Sequence, residues 1–65
     1  MTDIEKYSDE ELINYALDYA DDNPDFDPTF VESLQEYLDK YDYAELSFGQ
    51  RRALENIVVN FEMIP

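Results

Sequence analysis

The strongest helix signals in the chain lie within SDEELINYALDYADDNPDFDPTFVESLQEYLDKY, residues 8–41. Ser8 and Glu11 form the S-x-x-E pattern of a capping box, in which each side chain accepts a hydrogen bond from the other residue's backbone N–H. Apolar side chains then recur at helical spacing over residues 12–20. Asn23-Pro24 ends this helix, because the residue before a proline avoids helical backbone angles. The pattern therefore predicts a helix that begins near Ser8 and stops before the proline.

Two further helix starts follow along the chain. Asp27 is a preferred N-cap residue, and Pro28 suits the first helical position because its missing N–H would be unpaired there anyway. Ser47 and Gln50 form a second capping box. Apolar side chains keep the helical repeat after each start, and no strand pattern competes with it. The sequence predicts an all-α fold, a small three-helix domain with helices over roughly residues 8–22, 27–42 and 47–61.

The whole chain, residues 1–65, is predicted to form one domain, because its length is close to the lower limit for a single hydrophobic core. Residues 1–7 are expected to be a frayed arm, and residues 62–65 an apolar tail that could fold back onto the core. Periodicity also assigns Tyr37 and Tyr41 to the core. The predicted core is otherwise made of Leu12, Ala16, Phe30, Leu34, Leu38, Leu54, Ile57, Val58 and Phe61.

The composition excludes several classes of function. The chain has no Cys and no His, so it offers no disulfide, no thiolate metal site and no nucleophile–base pair built on either residue. One glycine leaves no phosphate-cradling loop, and so short a chain has little room for a substrate cleft besides a core. We therefore predict no enzyme activity and no cofactor. No apolar run is long enough to span a bilayer and no secretory signal opens the chain, so a cytoplasmic location without membrane contact is expected.

Charge is the most informative property of the sequence. Seventeen Asp and Glu against four Lys and Arg give a net charge of −13, whereas 45% hydrophobic and 15% aromatic residues distinguish the chain from a disordered acidic tail. A net charge of about 2–8 keeps a small domain soluble, so the excess implies a further role. Residues 1–46 hold 15 acids and 2 bases, whereas residues 47–65 hold two of each. In the latter segment Arg51 is expected to pair with Glu55, four positions on.

The acids of the first two helices and of their connecting loop are predicted to form one ridge, because carboxylates three, four or seven positions apart share a side of a helix. Tyrosines beside acids are good interface anchors, although a half-exposed tyrosine more commonly lies at a core edge. Tyr15, Tyr19 and Tyr43 are expected to be half exposed. The candidate partner-binding residues are Asp18, Asp21, Asp22, Asp25, Asp27, Glu32, Glu36, Asp39, Tyr15 and Tyr19.

Such a ridge repels the phosphates of DNA and RNA and attracts basic protein surfaces. The predicted function is that of a non-catalytic binding protein, which occupies the basic surface of a nucleic-acid-handling protein as a nucleic-acid mimic and inhibits it where the groove is blocked. In the alternative, the acidity is incidental, and the neutral third helix with its tail is an interface for dimerisation or assembly. The chain is expected to be a monomer or a homodimer and to bind no nucleic acid directly.

The loop between the first two helices also has the spacing of an EF-hand calcium site. Phe26 stands where that loop needs glycine for a sharp turn, and two prolines stiffen it. A helix stop followed by a helix start explains the loop better, so no specific metal site is predicted. The residues at EF-hand positions 1, 3, 5, 9 and 12 are Asp21, Asn23, Asp25, Thr29 and Glu32.

Two stretches, FVESL at residues 30–34 and LSFGQRRALENIVVNF at residues 46–61, carry a resemblance to a known class of proteins. Their patterns, F-x-x-S-L followed by L-S-x-x-Q-x-x-A-L-x-x-I, resemble helices of small acidic phage-encoded accessory proteins. The resemblance implies a viral (phage) protein engaged in a host–virus interaction in the host cytoplasm. Proteins of this class inhibit host DNA-binding proteins, restriction systems or CRISPR effectors by imitating nucleic acid. The resemblance transfers no functional residue to this chain.

Overall fold

A computed structural model describes residues 4–41 and 44–64 of the chain. Three α-helices make up the fold, and no strand occurs within those two ranges. They are α1 (Asp9–Asp22), α2 (Thr29–Lys40) and α3 (Phe48–Asn60), preceded by a short 3-10 helix at Ile4–Lys6. The predicted all-α class with three helices is confirmed. No helix in the described part of the chain has the length and apolarity needed to cross a membrane.

Both predicted capping boxes are present. The Ser8 hydroxyl accepts from the Glu11 N–H at 3.1 Å, and the Glu11 carboxylate accepts from the Ser8 N–H at 3.0 Å. The reciprocal distances between Ser47 and Gln50 are 3.2 and 2.9 Å. Each box satisfies two backbone donors that the first turn of a helix leaves unpaired. The sequence therefore placed the starts of α1 and α3 to within one residue.

The start of α2 differs from the prediction. The helix begins at Thr29, and its N-cap position is held by Pro28, which makes no side-chain cap. Asp27 accepts the Thr29 N–H at 3.0 Å with its side chain, two residues along the chain. That is the hydrogen bond of an Asx turn, which reverses the chain just before a helix rather than inside it. Asp27 therefore caps α2 from the position before the N-cap, whereas the sequence predicted it at the N-cap itself.

The core lies where α1 packs against both α2 and α3. Five of the predicted core residues are fully buried, and Leu38 and Ile57 are half-buried. Three buried residues were not assigned to the core from the sequence: Ile13, Val31 and Leu46. The complete buried set is Leu12, Ile13, Ala16, Val31, Leu34, Leu46, Leu54 and Val58.

Four aromatic residues that were assigned to the core are exposed, and their assignment was wrong. Phe30, Tyr37, Tyr41 and Phe61 are 38% to 51% exposed. The first three lie 7 and 11 positions apart, so they share one side of α2. Val31 and Leu34 show that α2 turns a neighbouring side to the core, since consecutive helical residues differ by about 100°. Phe61 follows the last turn of α3 and packs outside the core.

Arg51 joins the beginning of the chain to α3. Its guanidinium donates to the Asp9 carboxylate at 2.7 Å, to the Glu55 carboxylate at 3.0 Å, and to the backbone carbonyls of Ile4 and Tyr7 at 3.1 and 2.7 Å. The expected pair with Glu55 is therefore one part of a larger cluster. Burial disfavours the charged guanidinium, but the hydrogen bonds to the two carboxylates outweigh it and raise the pKa of Arg51.

The segment expected to be a frayed arm is, from residue 4 onward, a packed 3-10 turn. Ile4 and Tyr7 are partly buried against the core, and their carbonyls are the two backbone acceptors of Arg51. Residues 1–3 lie outside the described part of the chain. An arginine 44 to 47 positions away donates to this turn, and local sequence patterns do not indicate such a partner.

The chain leaves α3 through a Schellman motif. The Glu62 N–H donates to the Val59 carbonyl at 3.1 Å, and the Met63 N–H donates to the Val58 carbonyl at 3.0 Å. Glu62 has a φ of 52°, in the left-handed region that this motif requires and that glycine usually occupies. The reversal directs Met63 and Ile64 back against the core. Pro65 lies outside the described residues.

Replacing Glu62 by glycine is expected to raise the free energy of unfolding by about 1 kcal/mol, because a residue with a Cβ pays roughly that much to adopt a left-handed conformation. Chemical denaturation monitored by circular dichroism measures the gain. Glu62→Gln is the matched control, since it removes the same charge and keeps the Cβ. Equal stabilisation by both variants would show that charge, not backbone conformation, is responsible.

Candidate functional site

All eight carboxylates of the predicted ridge are exposed. We call this set the acidic face: Asp18, Asp21, Asp22, Asp25, Asp27, Glu32, Glu36 and Asp39. On α1 the members lie three and four positions apart, and the same spacing recurs on α2, so each helix carries its share along one side. Neither ion pair of Arg51 involves any of the eight. Arg51 therefore neutralises acids that lie outside the acidic face.

The polar sides of α1 and α2 meet along a seam between the helices. A small cavity of about 200 Å³ lies there, lined by Glu10 and Asn14 of α1 and by Gln35 and Asp39 of α2, with apolar side chains of both helices beneath. Asp39 of α2 and Glu10 of α1 thus line the same cavity. Glu10 is not among the partner-binding residues predicted from the sequence. Glu10 extends the acidic face across the seam, and its position follows only from how the two helices pack.

The two candidate tyrosines are half-buried and engaged in ring contacts. Tyr15 meets Tyr7 edge to face, with 5.7 Å between the ring centroids. Tyr19 contacts Phe26 at 5.5 Å and Phe61 at 5.7 Å. Both tyrosines therefore lie at the edge of the core beside the acidic face. Tyr43 lies outside the described residues.

A groove opens where the α1–α2 loop meets the end of α3. We call it the aromatic groove; its wall is formed by the rings of Tyr19, Phe26 and Phe61, whose centroids are 5.2 to 5.7 Å apart. The groove encloses about 530 Å³. Three members of the acidic face form its rim, beside Asn23 and Pro24 of the loop. These rim carboxylates belong to Asp22, Asp25 and Asp27.

Sequence reasoning missed two residues of this groove. Phe61 was assigned to the core, and Phe26 was interpreted as a mismatch to the EF-hand loop rather than as part of a binding site. The available signal was the stretch DFD at residues 25–27, an aromatic side chain between two acids in a loop. The contribution of Phe61 could not be found in this way, because it comes from the far end of the chain.

The loop makes two local helix caps. The Asn23 N–H donates to the Ala20 carbonyl at 3.3 Å, and its side chain donates to the Tyr19 carbonyl at 2.9 Å. The Thr29 hydroxyl donates to Asp27 at 2.5 Å. Two of the five EF-hand positions are thereby used in capping. Across residues 4–41 and 44–64, no three Asp or Glu side chains are grouped so as to hold a metal ion.

The carboxylate of Asp27, a member of the acidic face, is held by two hydrogen bonds from Thr29. Its Oδ1 accepts both the hydroxyl and the backbone N–H of Thr29. These two hydrogen bonds favour the ionised form and lower the pKa of Asp27 below its ordinary value of 3.8. Asp27 therefore keeps its negative charge at the groove rim to a lower pH than an ordinary aspartate does.

Replacing Thr29 by valine is expected to raise the pKa of Asp27 toward its ordinary value, because the hydroxyl donor is lost. Since the folded pKa lies below the unfolded one, ionised Asp27 stabilises the fold above the unfolded pKa, and this stability is lost as the pH falls through the folded pKa. Wild type should therefore exceed Thr29→Val in stability at pH 7, with the gap closing below about pH 3.8. Carbon-13 NMR titration of the carboxyl group measures the pKa, and Thr29→Ser, which keeps the donor, is the control.

The acidic face and the aromatic groove offer one kind of chemistry. Carboxylates accept hydrogen bonds from cations, and exposed aromatic rings attract cations to their faces.

Compared with known proteins, the chain matches no family model, no curated protein and no solved structure.

Proposed function

We propose that the chain is a non-catalytic binding protein whose acidic face occupies the basic, nucleic-acid-binding surface of a partner protein in the cytoplasm. Occupation of that surface excludes DNA or RNA, so the chain acts as a nucleic-acid mimic and an inhibitor. The observation that carries the proposal is that eight carboxylates lie exposed along α1, α2 and their loop while Arg51 neutralises other acids.

The magnitude of the charge supports this proposal. Mutual repulsion among so many like charges destabilises a small domain, and solubility needs far fewer. A basic groove removes that repulsion on binding, since it supplies a counter-charge along the whole face. Complementary charge also accelerates the encounter of the two proteins.

The fixed spacing of the carboxylates on α1 and α2 also supports the proposed function. The acids of α1 and α2 lie on helices that share a buried core, so their mutual spacing is fixed before a partner arrives. A flexible acidic tail would lose conformational entropy when it bound, and it would discriminate less between basic surfaces. A fixed array favours partners whose basic residues have matching spacing.

Capture followed by displacement tests this function. Proteins from a cell lysate are retained on the immobilised chain at about 0.05 M salt, and each captured protein is then given a labelled DNA duplex or RNA. We expect added chain to release the labelled nucleic acid in proportion to its own binding. If the captured protein binds the nucleic acid and the chain together, the proposed mimicry is wrong.

A second function is favoured by the surface of α3. Phe48 and Val59 are 83% and 53% exposed, and their separation of 11 positions places them on one side of the helix. Arg52 lies between them on the same side. Because Met63 and Ile64 are packed on the core, an assembly interface on α3 would use Phe48 and Val59 rather than the tail. Such an interface would form a homodimer or a larger complex, with the acidity incidental.

Salt distinguishes the two functions. Binding through the acidic face weakens as salt rises, because exposed charges are screened. Binding through Phe48 and Val59 changes little, since burial of apolar surface does not depend on screening. A Phe48→Ser variant that loses a salt-insensitive partner while retaining the salt-sensitive one would assign each partner to its surface.

A further inference from the structure

We propose that the aromatic groove accepts an arginine side chain of the basic partner, with its guanidinium held between the ring wall and the rim carboxylates. This inference rests on the proposed function and adds a specific contact to it. The acidic face favours a matching spacing of several basic residues, whereas the groove selects one residue type at one position on the partner's surface.

The ring wall favours a flat cation. Tyr19, Phe26 and Phe61 pack edge to face or tilted against one another, with angles of 57° to 90° between the ring planes. Phe61 is 46% exposed, and Tyr19 and Phe26 are half-buried, so part of the ring surface remains accessible from the groove. A guanidinium stacks on such a face through its π system and its charge together.

The rim supplies the counter-charge. Asp22, Asp25 and Asp27 all border the same groove as the rings. Both hydrogen bonds of Thr29 go to Oδ1 of Asp27, so Thr29 does not occupy Oδ2. A guanidinium has five N–H donors in a planar fork, so one face of the ion can stack while its edge donates to carboxylates.

Lysine fits the same groove less well. Its ammonium is a compact, strongly hydrated charge, which neither stacks on a ring nor forms two parallel hydrogen bonds to a carboxylate. The groove volume of about 530 Å³ is in the range of sites that take small organic groups. The expected consequence is a preference for arginine over lysine at equal charge.

The probes for this preference are two ten-residue peptides, one of arginine and one of lysine, each carrying a fluorescent label. Fluorescence anisotropy at about 0.1 M salt gives both dissociation constants. We expect the arginine peptide to bind about tenfold more tightly, a difference in the range of one desolvated cation–π contact. In the wild-type chain, the ring protons of Tyr19, Phe26 and Phe61 should shift in NMR spectra with the arginine peptide.

Phe61→Leu isolates the groove, because it removes one ring from the wall and leaves every charge in place. We expect it to reduce the arginine preference to about twofold while leaving the affinity for the lysine peptide unchanged. Phe48→Leu is the matched control, since it removes an exposed ring at the opposite end of α3 from Phe61 and should leave the arginine preference intact. Unshifted ring protons in the wild-type chain, or an unchanged preference in Phe61→Leu, overturns the inference.

The same titrations, repeated over a salt series that begins at about 0.05 M, separate this inference from the proposed function. If both peptides bind with equal affinity and with strong salt dependence, the groove inference is wrong and the role of the acidic face stands. If neither peptide binds at about 0.05 M salt, the proposed function fails together with the inference. If the arginine peptide binds to the groove without salt dependence, the rim carboxylates do not hold its guanidinium, and both the groove inference and the role of the acidic face are wrong.

Discussion

Neutralising three carboxylates of α2 is expected to weaken binding to a basic partner surface by about ten- to hundredfold at low salt. The variant is Glu32→Gln, Glu36→Gln and Asp39→Asn combined. Exposed ion pairs contribute roughly 0.5–1 kcal/mol each, so three of them account for a change of this size. At about 1 M salt, where the Debye length is about 3 Å, wild type and variant should bind equally weakly. Calorimetric or anisotropy titrations over a salt series measure both limits.

Three other exposed acids provide the control for total charge. The variant Glu5→Gln, Glu45→Gln and Glu62→Gln also changes the net charge from −13 to −10 but leaves the acidic face intact. We expect its affinity to remain within about threefold of wild type, because distant charges are largely screened. Equal weakening by both triple variants would mean that net charge alone drives binding, which contradicts recognition by a defined face.

Replacing Arg51 by alanine is expected to lower the free energy of unfolding by about 2–4 kcal/mol. The substitution removes donors from two carboxylates and two backbone carbonyls in a partly buried site, where the side chains of Arg51 and its ionic partners are 20% to 23% exposed. Acceptors left without donors in such a site cost free energy. A 65-residue domain has a total stability of roughly 3–10 kcal/mol, so thermal and urea unfolding should show the loss clearly.

Arg52→Ala is the matched control for this loss. Arg52 is the adjacent residue, is exposed, and carries the same charge. We expect it to change the unfolding free energy by less than about 0.5 kcal/mol. If the two variants lose stability equally, the guanidinium contacts of Arg51 contribute nothing beyond its charge. Hydrogen exchange would add a local test, because the amides near Ile4 and Tyr7 should lose protection only in Arg51→Ala.

Much of the fold could be predicted because its signals are local. The capping boxes at Ser8 and Ser47 need only the first turn of a helix, and the stop at Asn23 needs only the proline that follows. The orientation of α2 could not be predicted in the same way. Its apolar and aromatic side chains cover so wide an arc that periodicity does not show which part faces α1. The structure buries Val31 and leaves Phe30 exposed, although the two are neighbours in sequence.

The candidate site likewise has one part that local sequence patterns predict and another part that depends on contacts between distant segments. The acids of the ridge could be identified because an exposed carboxylate on a helix needs no tertiary partner. The groove could not, because Phe61 reaches Phe26 across 35 positions of sequence. Arg51 shows the same limit, since its spacing to Glu55 is local whereas its contacts to Asp9 and the Ile4 carbonyl are not. Contacts between distant segments depend on helix packing, which a single sequence leaves open.

The central position of α1 has a consequence for how the molecule opens. Because α1 packs against both α2 and α3, it cannot detach without separating both of them from the core. Detachment of α1 therefore amounts to loss of the whole core, and that opening should coincide with global unfolding. The carboxylates on α1 are consequently preorganised for as long as the domain is folded, so a partner meets them without having to order them first.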